Sequence, residues 1–178
     1  RRQRQMCIRD RPNGGGMHRK NRRNTNCGNG TTRGVDLNRN FGYEWGADNI
    51  GSSPDPCSEV YRGEFAFSEP EAEAVRDFVL DHDFKNVLNF HTFANTYSHP
   101  FGNGSYPDEP DLTAHREIGS EMARYNDYFV GNCLESINYT VNGDASDWTY
   151  GEAGLISFAP EVGASFQGFW PSADEVED

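Results

Sequence analysis

The sequence predicts an α/β fold built on a mixed, mostly parallel β-sheet with flanking helices. Apolar runs at residues 87–90 and 155–159 are typical of short buried strands. Apolar residues at helical spacing predict helices over residues 70–82 and 111–125. Strands that alternate with helices along a chain tend to form a sheet covered by helices, and this alternation is the basis of the predicted class.

The first predicted helix begins at a segment with three start signals. Ser68 is a candidate N-cap, Glu71 lies three residues later and can reach back to it, and Pro70 is tolerated in the first turn. The helix is expected to end near His82. Its predicted apolar face consists of Ala72, Val75, Phe78 and Val79.

The remaining segments are predicted to be shorter or irregular. Residues 12–34 and 42–64 are rich in Gly, Asn or Pro and are interpreted as loops. Residues 133–139 lead into a strand or a loop, residues 141–144 form a turn, and residues 146–150 begin a further helix.

The charge distribution divides the chain into two unequal parts. Residues 1–39 hold 11 of the 16 basic residues and only 2 of the 28 acidic ones, so the rest of the chain is strongly acidic. A basic arm can bind nucleic acid, or its arginines can belong partly to an anion site and partly to a foreign tail. We favour the second interpretation, with residues 1–11 as a non-native tail, and expect neither nucleic-acid nor membrane binding.

Two polar residues follow the two predicted strands. His91 comes directly after the first strand and Glu161 just after the second. Ligands of α/β sheets gather at the carboxyl ends of strands, although a single histidine there is more often structural. Asn38 and Arg39 stand side by side between apolar residues. They suit either bidentate capture of a carboxylate or an ordinary surface ion pair.

The four cysteines do not form a zinc-binding pattern. Cys27 and Cys57 bracket a loop-like stretch that a disulfide would close, which would indicate an oxidising compartment. Two unrelated thiols are the alternative, and Cys133 is expected to be a buried thiol.

Several segments, in order and at similar spacing, resemble the zinc carboxypeptidase family (carboxypeptidases A, B and T). The resemblance runs from about Pro12 to about Gly163. The segments are HRKNRR at 18–23, GVDLNRNF at 34–41, FSEPE at 67–71, NFHT at 89–92, Tyr139 with Asp147 and Trp148, and FAPE at 158–161. Several ordered motifs are more specific than any one of them.

The resemblance implies a zinc-dependent hydrolysis of the last peptide bond of a peptide. His91 corresponds to the third zinc ligand, Arg19 to the arginine that stabilises the oxyanion, and Glu161 to the general base. Zinc in this family activates a water molecule, whose proton the glutamate accepts.

The resemblance also implies how the substrate is held. Asn38 and Arg39 correspond to the pair that binds the terminal carboxylate, and Tyr139 to the tyrosine that closes over it. Ser146 corresponds to the position that separates apolar from basic preference, and Asp144 nearby can pair with a Lys or Arg side chain or merely cap the turn. We expect broad specificity for apolar and basic terminal residues.

One part of the family pattern is missing. The family binds zinc through an HxxE motif upstream of the histidine that corresponds to His91, and the chain contains no HxxE. We therefore interpret residues 12–178 as a partial catalytic domain without the first strands and the last helix. It is expected to be a secreted, periplasmic or extracellular monomer that is inactive alone. The alternative is a non-catalytic module that binds peptide C-termini. The resemblance also favours a Cys27–Cys57 disulfide.

Overall fold

The computed structural model describes residues 19–27 and 33–169. The tail predicted at residues 1–11 lies outside this part of the chain. Within it, none of the helices has both the length and the apolar character needed to cross a bilayer.

Four helices and four short strands follow one another between Pro70 and Glu161. A 3-10 turn at Leu37–Arg39 precedes the first helix, and another at Ala123–Tyr125 extends the second. The helices are α1 (Pro70–Leu80), α2 (Asp111–Met122), α3 (Cys133–Ile137) and α4 (Ala145–Gly151). The strands are β1 (Asn86–Leu88), β2 (Thr96–Ser98), β3 (Phe129–Gly131) and β4 (Ile156–Glu161).

The four strands form one sheet in the order β1-β4-β2-β3. The pairs β1–β4 and β2–β3 are parallel, with Val87 opposite Ser157 and Tyr97 opposite Val130. The central pair β2–β4 is antiparallel, with Tyr97 opposite Pro160. The predicted mixed, mostly parallel sheet is confirmed.

A small aromatic core joins α1 and α4 to the loop that follows the first 3-10 turn. Trp148 of α4 is 2 % exposed and Phe41 of the loop 5 %. The ring of Phe67 meets both of them edge-on, at centroid distances of 5.5 Å and 5.4 Å. The loop that carries Asn38 and Arg39 is therefore fixed against the helices on its downstream side.

The N-terminus of α1 differs from its prediction. Glu69, not Ser68, occupies the N-cap position, and no side chain caps the helix. The Ser68 hydroxyl instead donates to the Glu69 carboxylate at 2.8 Å and accepts from the Asn40 amide at 3.0 Å. The buried Glu69 carboxylate also binds Arg23 at 2.6 Å. This ion pair connects the start of α1 to residues 19–27, the first described loop.

The burial predicted for the first strand is wrong. Leu88 is 40 % exposed, because β1 lies at the edge of the sheet that the described residues form, and Phe90, two residues past the end of β1, is 68 % exposed. On α1, Val75 and Phe78 are also exposed, while Ala72 and Val79 are buried as expected.

Two short strands were not predicted, and α3 forms at Cys133–Ile137, where a strand or a loop was predicted. Strands β2 and β3 have three residues each, which is too few for an alternation of apolar and polar residues to be recognised in the sequence. Helix α3 begins at a capping box in which Asn132 and Glu135 satisfy each other's backbone amides.

The Cys27–Cys57 disulfide is present, with Cα atoms 5.1 Å apart. Cys133 is a free and partly buried thiol.

Candidate active site

A cavity of about 500 Å³ lies at the end of β4 and collects most of the residues chosen from the sequence. Seven of the eight line it: Arg19, Asn38, Arg39, His91, Tyr139, Asp144 and Glu161. They come from segments that are far apart in the sequence, so the fold rather than local spacing brings them together.

His91 and Glu161 are placed side by side by the sheet. Their backbones form a parallel bridge, in which the His91 amide donates to the Pro160 carbonyl at 2.8 Å and the Val162 amide donates to the His91 carbonyl at 2.9 Å. Glu161 is the last residue of β4, which ends two residues later than the predicted strand.

The electrostatic environment of Glu161 favours its protonated form. Burial raises the pKa of Glu161 to about 7, although the positive charges of Arg19 and Arg39 oppose the shift. Burial lowers the pKa of His91, and the charge of Arg19 lowers it further. A carboxyl group with a pKa near neutrality can both accept and return a proton at physiological pH.

Arg39 is held by two hydrogen bonds but has no anionic partner among the described residues. Its side chain is buried, the whole residue being 4 % exposed. Its Nε donates to the Gly51 carbonyl at 2.6 Å and one terminal nitrogen donates to the Asn38 carbonyl at 2.6 Å. No Asp or Glu of residues 19–27 or 33–169 forms an ion pair with it. A buried guanidinium that faces a cavity without a carboxylate partner is suited to bind an anion.

Asn38 lies beside Arg39 in the 3-10 turn. Its Oδ1 accepts from the Ala145 amide at 3.1 Å, which fixes the orientation of the side-chain amide. Since that oxygen is engaged by α4, the NH₂ group is the part of the side chain suited to donate to a ligand.

Arg19 also lines the cavity, with its side chain 43 % exposed. Its Nε donates to the buried Asp36 carboxylate at 2.7 Å. Burial lowers the pKa of Arg19, but the adjacent Asp36 carboxylate more than compensates and the pKa is raised, so Arg19 remains a cation. Its other guanidinium nitrogens are positioned to meet negative charge in the cavity.

Tyr139 stands at the mouth of the cavity and is 49 % exposed. It follows Asn138, which ends α3 in the left-handed conformation at φ 57°. Burial of part of the ring raises the pKa of the Tyr139 phenol, which remains a hydrogen-bond donor at neutral pH.

One carboxylate oxygen of Asp144 has no hydrogen-bond partner among the described residues. Its Oδ1 caps α4 by accepting from the amides of Ser146 and Asp147 at 2.8 Å and 3.1 Å. Its Oδ2 is buried and has no hydrogen-bond partner in the described part of the chain. The two roles considered for this acid, a turn cap and a partner for a cation, are therefore each compatible with one of its oxygens.

Ser146 is the one chosen residue that does not line the cavity. It is buried in the first turn of α4, and its hydroxyl accepts from the Asn89 side chain at 3.2 Å. Its relation to the cavity is indirect, through the backbone amide that it donates to Asp144.

Several residues that shape the site were missed from the sequence. Asp36 gave a weak signal, since Asp two residues before Asn38 is typical of a side-chain cap. The cavity wall also includes residues that were not predicted from the sequence to belong to a site: Ser98, Cys133, Ser136, Phe93, Ala159 and Phe169.

The described residues do not fit a complete zinc site. Residues 19–27 and 33–169 contain no group of three or more His, Cys, Asp or Glu side chains that could hold a metal ion. His91 is a single candidate ligand, whereas catalytic zinc usually has about three from the protein.

Comparison with known proteins agrees with this architecture. The zinc carboxypeptidase family model matches residues 11–178. The chain is 34% identical to mast cell carboxypeptidase A of Homo sapiens over 155 residues, covering 82% of this chain and 36% of that protein. It is 33% identical to carboxypeptidase B of Astacus astacus over 130 residues, covering 69% of this chain and 42% of that protein.

Solved structures show the same fold. A carboxypeptidase A from Helicoverpa armigera superposes with a TM-score of 0.70 at 33% identity, over 80% of this chain and 36% of that one. Bovine thrombin-activatable fibrinolysis inhibitor, in complex with tick carboxypeptidase inhibitor, superposes with a TM-score of 0.71 at 26% identity, over 89% of this chain and 55% of that one.

The chain belongs to the zinc carboxypeptidase family. It spans about a third to two fifths of the length of these curated relatives.

Proposed function

We propose that this chain supplies the substrate-binding and proton-transfer part of a metallocarboxypeptidase active site, which releases the C-terminal residue of peptides or proteins. The observation that carries the proposal is the buried Arg39, which has no carboxylate partner among the described residues and shares one cavity with Glu161. In the main chain of a peptide only the C-terminus carries a carboxylate, so a group that binds the main-chain carboxylate favours an exopeptidase.

The substrate is held at its terminal carboxylate. Arg39 binds the carboxylate, the Asn38 amide donates a second hydrogen bond, and Tyr139 closes over the bound end from the mouth of the cavity. The three groups lie on two loops that meet at the cavity.

Glu161 and Arg19 act on the scissile bond. Glu161 accepts a proton from the water that attacks the carbonyl carbon, and it returns the proton to the leaving nitrogen as the C–N bond breaks. Arg19 faces the oxygen on which negative charge develops. A pKa of about 7 suits Glu161 to both proton transfers.

Zinc is implied by the family, but the described residues do not supply a full set of ligands for it. His91 is the one residue that we assign to the metal, and the other ligands have to come from polypeptide outside residues 19–27 and 33–169.

Asp144 and Ser146 contribute to substrate preference. The unpartnered Oδ2 of Asp144 favours a basic terminal side chain, while the apolar part of the cavity, with Val141 and Ala159, accepts an apolar one. Ser146 is a small residue whose backbone amide donates to Asp144 Oδ1 and so helps to orient that carboxylate. The preference is therefore broad.

The chain is proposed to act as a monomer in an oxidising, extracellular compartment. The Cys27–Cys57 disulfide supports the compartment, since structural disulfides persist there.

The carboxylate site is tested by NMR titration of the 178-residue chain with N-acetyl-L-phenylalanine and with its C-terminal amide. We expect binding of the acid and not of the amide. Arg39→Met should weaken binding of the acid by about tenfold or more, because a charge-assisted hydrogen bond is lost. Arg124→Met, which changes an exposed arginine paired with Glu121, is the control. Equal binding of acid and amide would refute the site.

The hydrolytic role needs the longer polypeptide that includes the upstream coding segment, loaded with zinc. Glu161→Gln should lower its kcat by roughly 100-fold or more and leave binding of the free acid intact. Release of no C-terminal residue by the unaltered polypeptide would reject the peptidase.

A non-catalytic module that binds peptide C-termini is the second candidate. It is favoured by the presence of the carboxylate site in described residues that contain no metal-ligating cluster. This candidate predicts that the upstream coding segment has no HxxE motif and that the longer polypeptide binds free acids without hydrolysing peptides.

A further inference from the structure

We infer that Asp36 is a positioning residue that holds Arg19 at a set distance from the carboxylate-binding pair, Asn38 and Arg39. The inference rests on the proposed function, because it concerns the distance between two anion-binding parts of the same cavity. One part is Arg19, and the other is the pair Asn38 and Arg39.

The two oxygens of the Asp36 carboxylate have different partners. Oδ2 accepts from Arg19 Nε at 2.7 Å, and Oδ1 accepts from the Asn38 backbone amide at 3.1 Å. One carboxylate thus connects a residue on the first described loop with the 3-10 turn that carries the carboxylate-binding pair.

The backbone of Asp36 is itself fixed. Its amide donates to the Tyr61 carbonyl at 2.8 Å, and its carbonyl accepts from the Arg39 amide at 3.0 Å. The residue is 1 % exposed, so water does not compete for the two carboxylate oxygens. A buried carboxylate with both oxygens engaged is pre-organised and does not need to rearrange when a ligand binds.

The chemistry of a peptide end makes such a connection useful. The terminal carboxylate and the scissile carbonyl flank the same terminal residue, and covalent geometry limits their separation. An error of about 1 Å between the two anion-binding parts would misalign one of them and can cost about 100-fold in rate. Asp36 contacts neither ligand group, and acts through Arg19 and the turn.

Two substitutions separate the two contacts. Asp36→Asn keeps an oxygen that can accept from the Asn38 amide, but it turns an NH₂ group toward Arg19 Nε, which is also a donor. Asp36→Ala removes both acceptors. The first variant should displace Arg19 alone, whereas the second should also loosen the turn.

The test uses NMR titration of the 178-residue chain with two probes. N-Acetyl-L-phenylalanine carries only the terminal carboxylate, while a phosphonate pseudodipeptide ending in L-phenylalanine adds a tetrahedral anion at the scissile position. The unaltered chain should bind the phosphonate about tenfold more tightly, the effect of one charge-assisted hydrogen bond from Arg19. Arg19→Met should abolish this tenfold difference, which assigns it to Arg19.

Asp36→Asn should also abolish the tenfold difference, while its binding of N-acetyl-L-phenylalanine stays within about twofold. Asp36→Ala should weaken the binding of both probes. Asp55→Asn is a matched control, because the exposed Asp55 likewise accepts from the amide two residues later, that of Cys57 at 2.9 Å, and is not part of the cavity. It should change neither probe.

The outcomes distinguish this inference from the proposed function. If the unaltered chain binds neither probe, the carboxylate site and the proposed function fail. If it binds both and Asp36→Asn retains the full difference between them, the positioning role of Asp36 is overturned and the carboxylate site stands. The Nε–H signal of Arg19 in ¹⁵N-labelled protein gives a second readout, and it should lose its protection from solvent exchange in Asp36→Asn.

Discussion

The guanidinium Nε of Arg39 lies 2.6 Å from the carbonyl oxygen of Gly51, on a loop twelve residues further along the chain. The same loop contacts the segment that carries Tyr139 and Asp144, since Ser52 and Asn142 are joined by a 2.5 Å hydrogen bond between their side chains. The orientation of the candidate carboxylate site therefore depends on the packing of two loops, whereas His91 and Glu161 are fixed by the sheet.

Gly51→Ala should disturb this packing. Gly51 has φ 72°, and a Cβ atom added there would lie 1.9 Å from the Thr140 carbonyl oxygen. The loops have to separate, and Arg39 loses its acceptor. We expect a loss of stability of about 2 kcal/mol or more in urea unfolding, together with weaker binding of N-acetyl-L-phenylalanine.

Gly154→Ala is the matched control for this substitution. Gly154 has the same φ of 72°, but a Cβ atom there would meet nothing within 4 Å. It should cost only about 1 kcal/mol of conformational strain and leave binding unchanged. Equal effects of the two substitutions would show that the loop contact does not orient Arg39.

Asp144→Asn should remove a preference for basic terminal residues. N-Acetyl-L-lysine and N-acetyl-L-norleucine have side chains of similar length, and only the first carries an ammonium group. The unaltered chain should bind the lysine derivative about fivefold to tenfold more tightly, and the variant should bind both alike. Asparagine retains the Oδ1 that caps α4, so the helix is preserved.

Stability measurements check that this variant is folded. Burial raises the pKa of Asp147 well above its ordinary value, and the neighbouring negative charge of Asp144 raises it further. Removal of that charge should therefore leave the unfolding free energy unchanged or slightly higher. An unchanged preference for lysine in a stable variant would mean that Asp144 serves only as a cap.

The sequence was informative where one residue carries a specific chemistry. His91 and Glu161 were found because each follows an apolar run. In the structure Glu161 ends β4, and His91 lies three residues past β1 in a bridge with Glu161. The adjacent Asn38 and Arg39 were found because their residue types suit a carboxylate. The roles of these residues follow from the family resemblance and stay predictions.

The partners of these residues could not be read from the sequence. The acceptors of Arg19 and Arg39, which are Asp36 and the Gly51 carbonyl, lie 17 and 12 residues away and meet them only after the loops fold. Burial of β1 was predicted from its apolar residues alone, although the exposure of Leu88 depends on the position of the strand at the edge of the described sheet.

The Cys27–Cys57 disulfide should be a large contributor to stability. It closes a segment with a sequence separation of 30, and chain-entropy arguments give about 3–4 kcal/mol for a loop of this length. The double variant Cys27→Ser, Cys57→Ser should unfold at a markedly lower temperature, and a reducing agent should lower the Tm of the unaltered chain but not that of the variant. Cys133→Ser, at the free thiol, should retain the fall in Tm on reduction. If reduction no longer lowered the Tm of this variant, the stabilisation could not be assigned to the Cys27–Cys57 disulfide.

Acidification should destabilise the chain through two buried histidines, His99 and His115. They are 2 % and 0 % exposed, and their ring centroids lie 5.9 Å apart. Burial lowers the pKa of both, and the charge of His115 lowers that of His99 further, although each ring also bonds a backbone carbonyl that favours its charged form. Neutral rings are therefore preferred in the folded state.

The sign of the pH dependence follows from these lowered pKa values. The unfolded chain takes up protons near the ordinary histidine pKa of about 6.5, before the folded chain does, so the stability from each histidine is fully present above that pH and is lost as the pH falls through the folded pKa. Glu161 acts in the opposite direction. Its pKa is raised to about 7, so its contribution is present below the ordinary glutamate pKa and is lost as the pH rises through 7.

The contribution of His99 is separated from that of Glu161 by comparing the unaltered chain with a variant that lacks His99. His99→Phe removes one titrating ring and leaves Glu161 in place, so its free energy of urea unfolding should fall less between pH 7.5 and pH 5 than that of the unaltered chain, by about 1 kcal/mol. His82→Phe, at an exposed histidine that contacts Phe78 and Phe84, should follow the unaltered chain across the same range. Parallel pH profiles for the unaltered chain and His99→Phe would show that His99 is not held neutral by its burial.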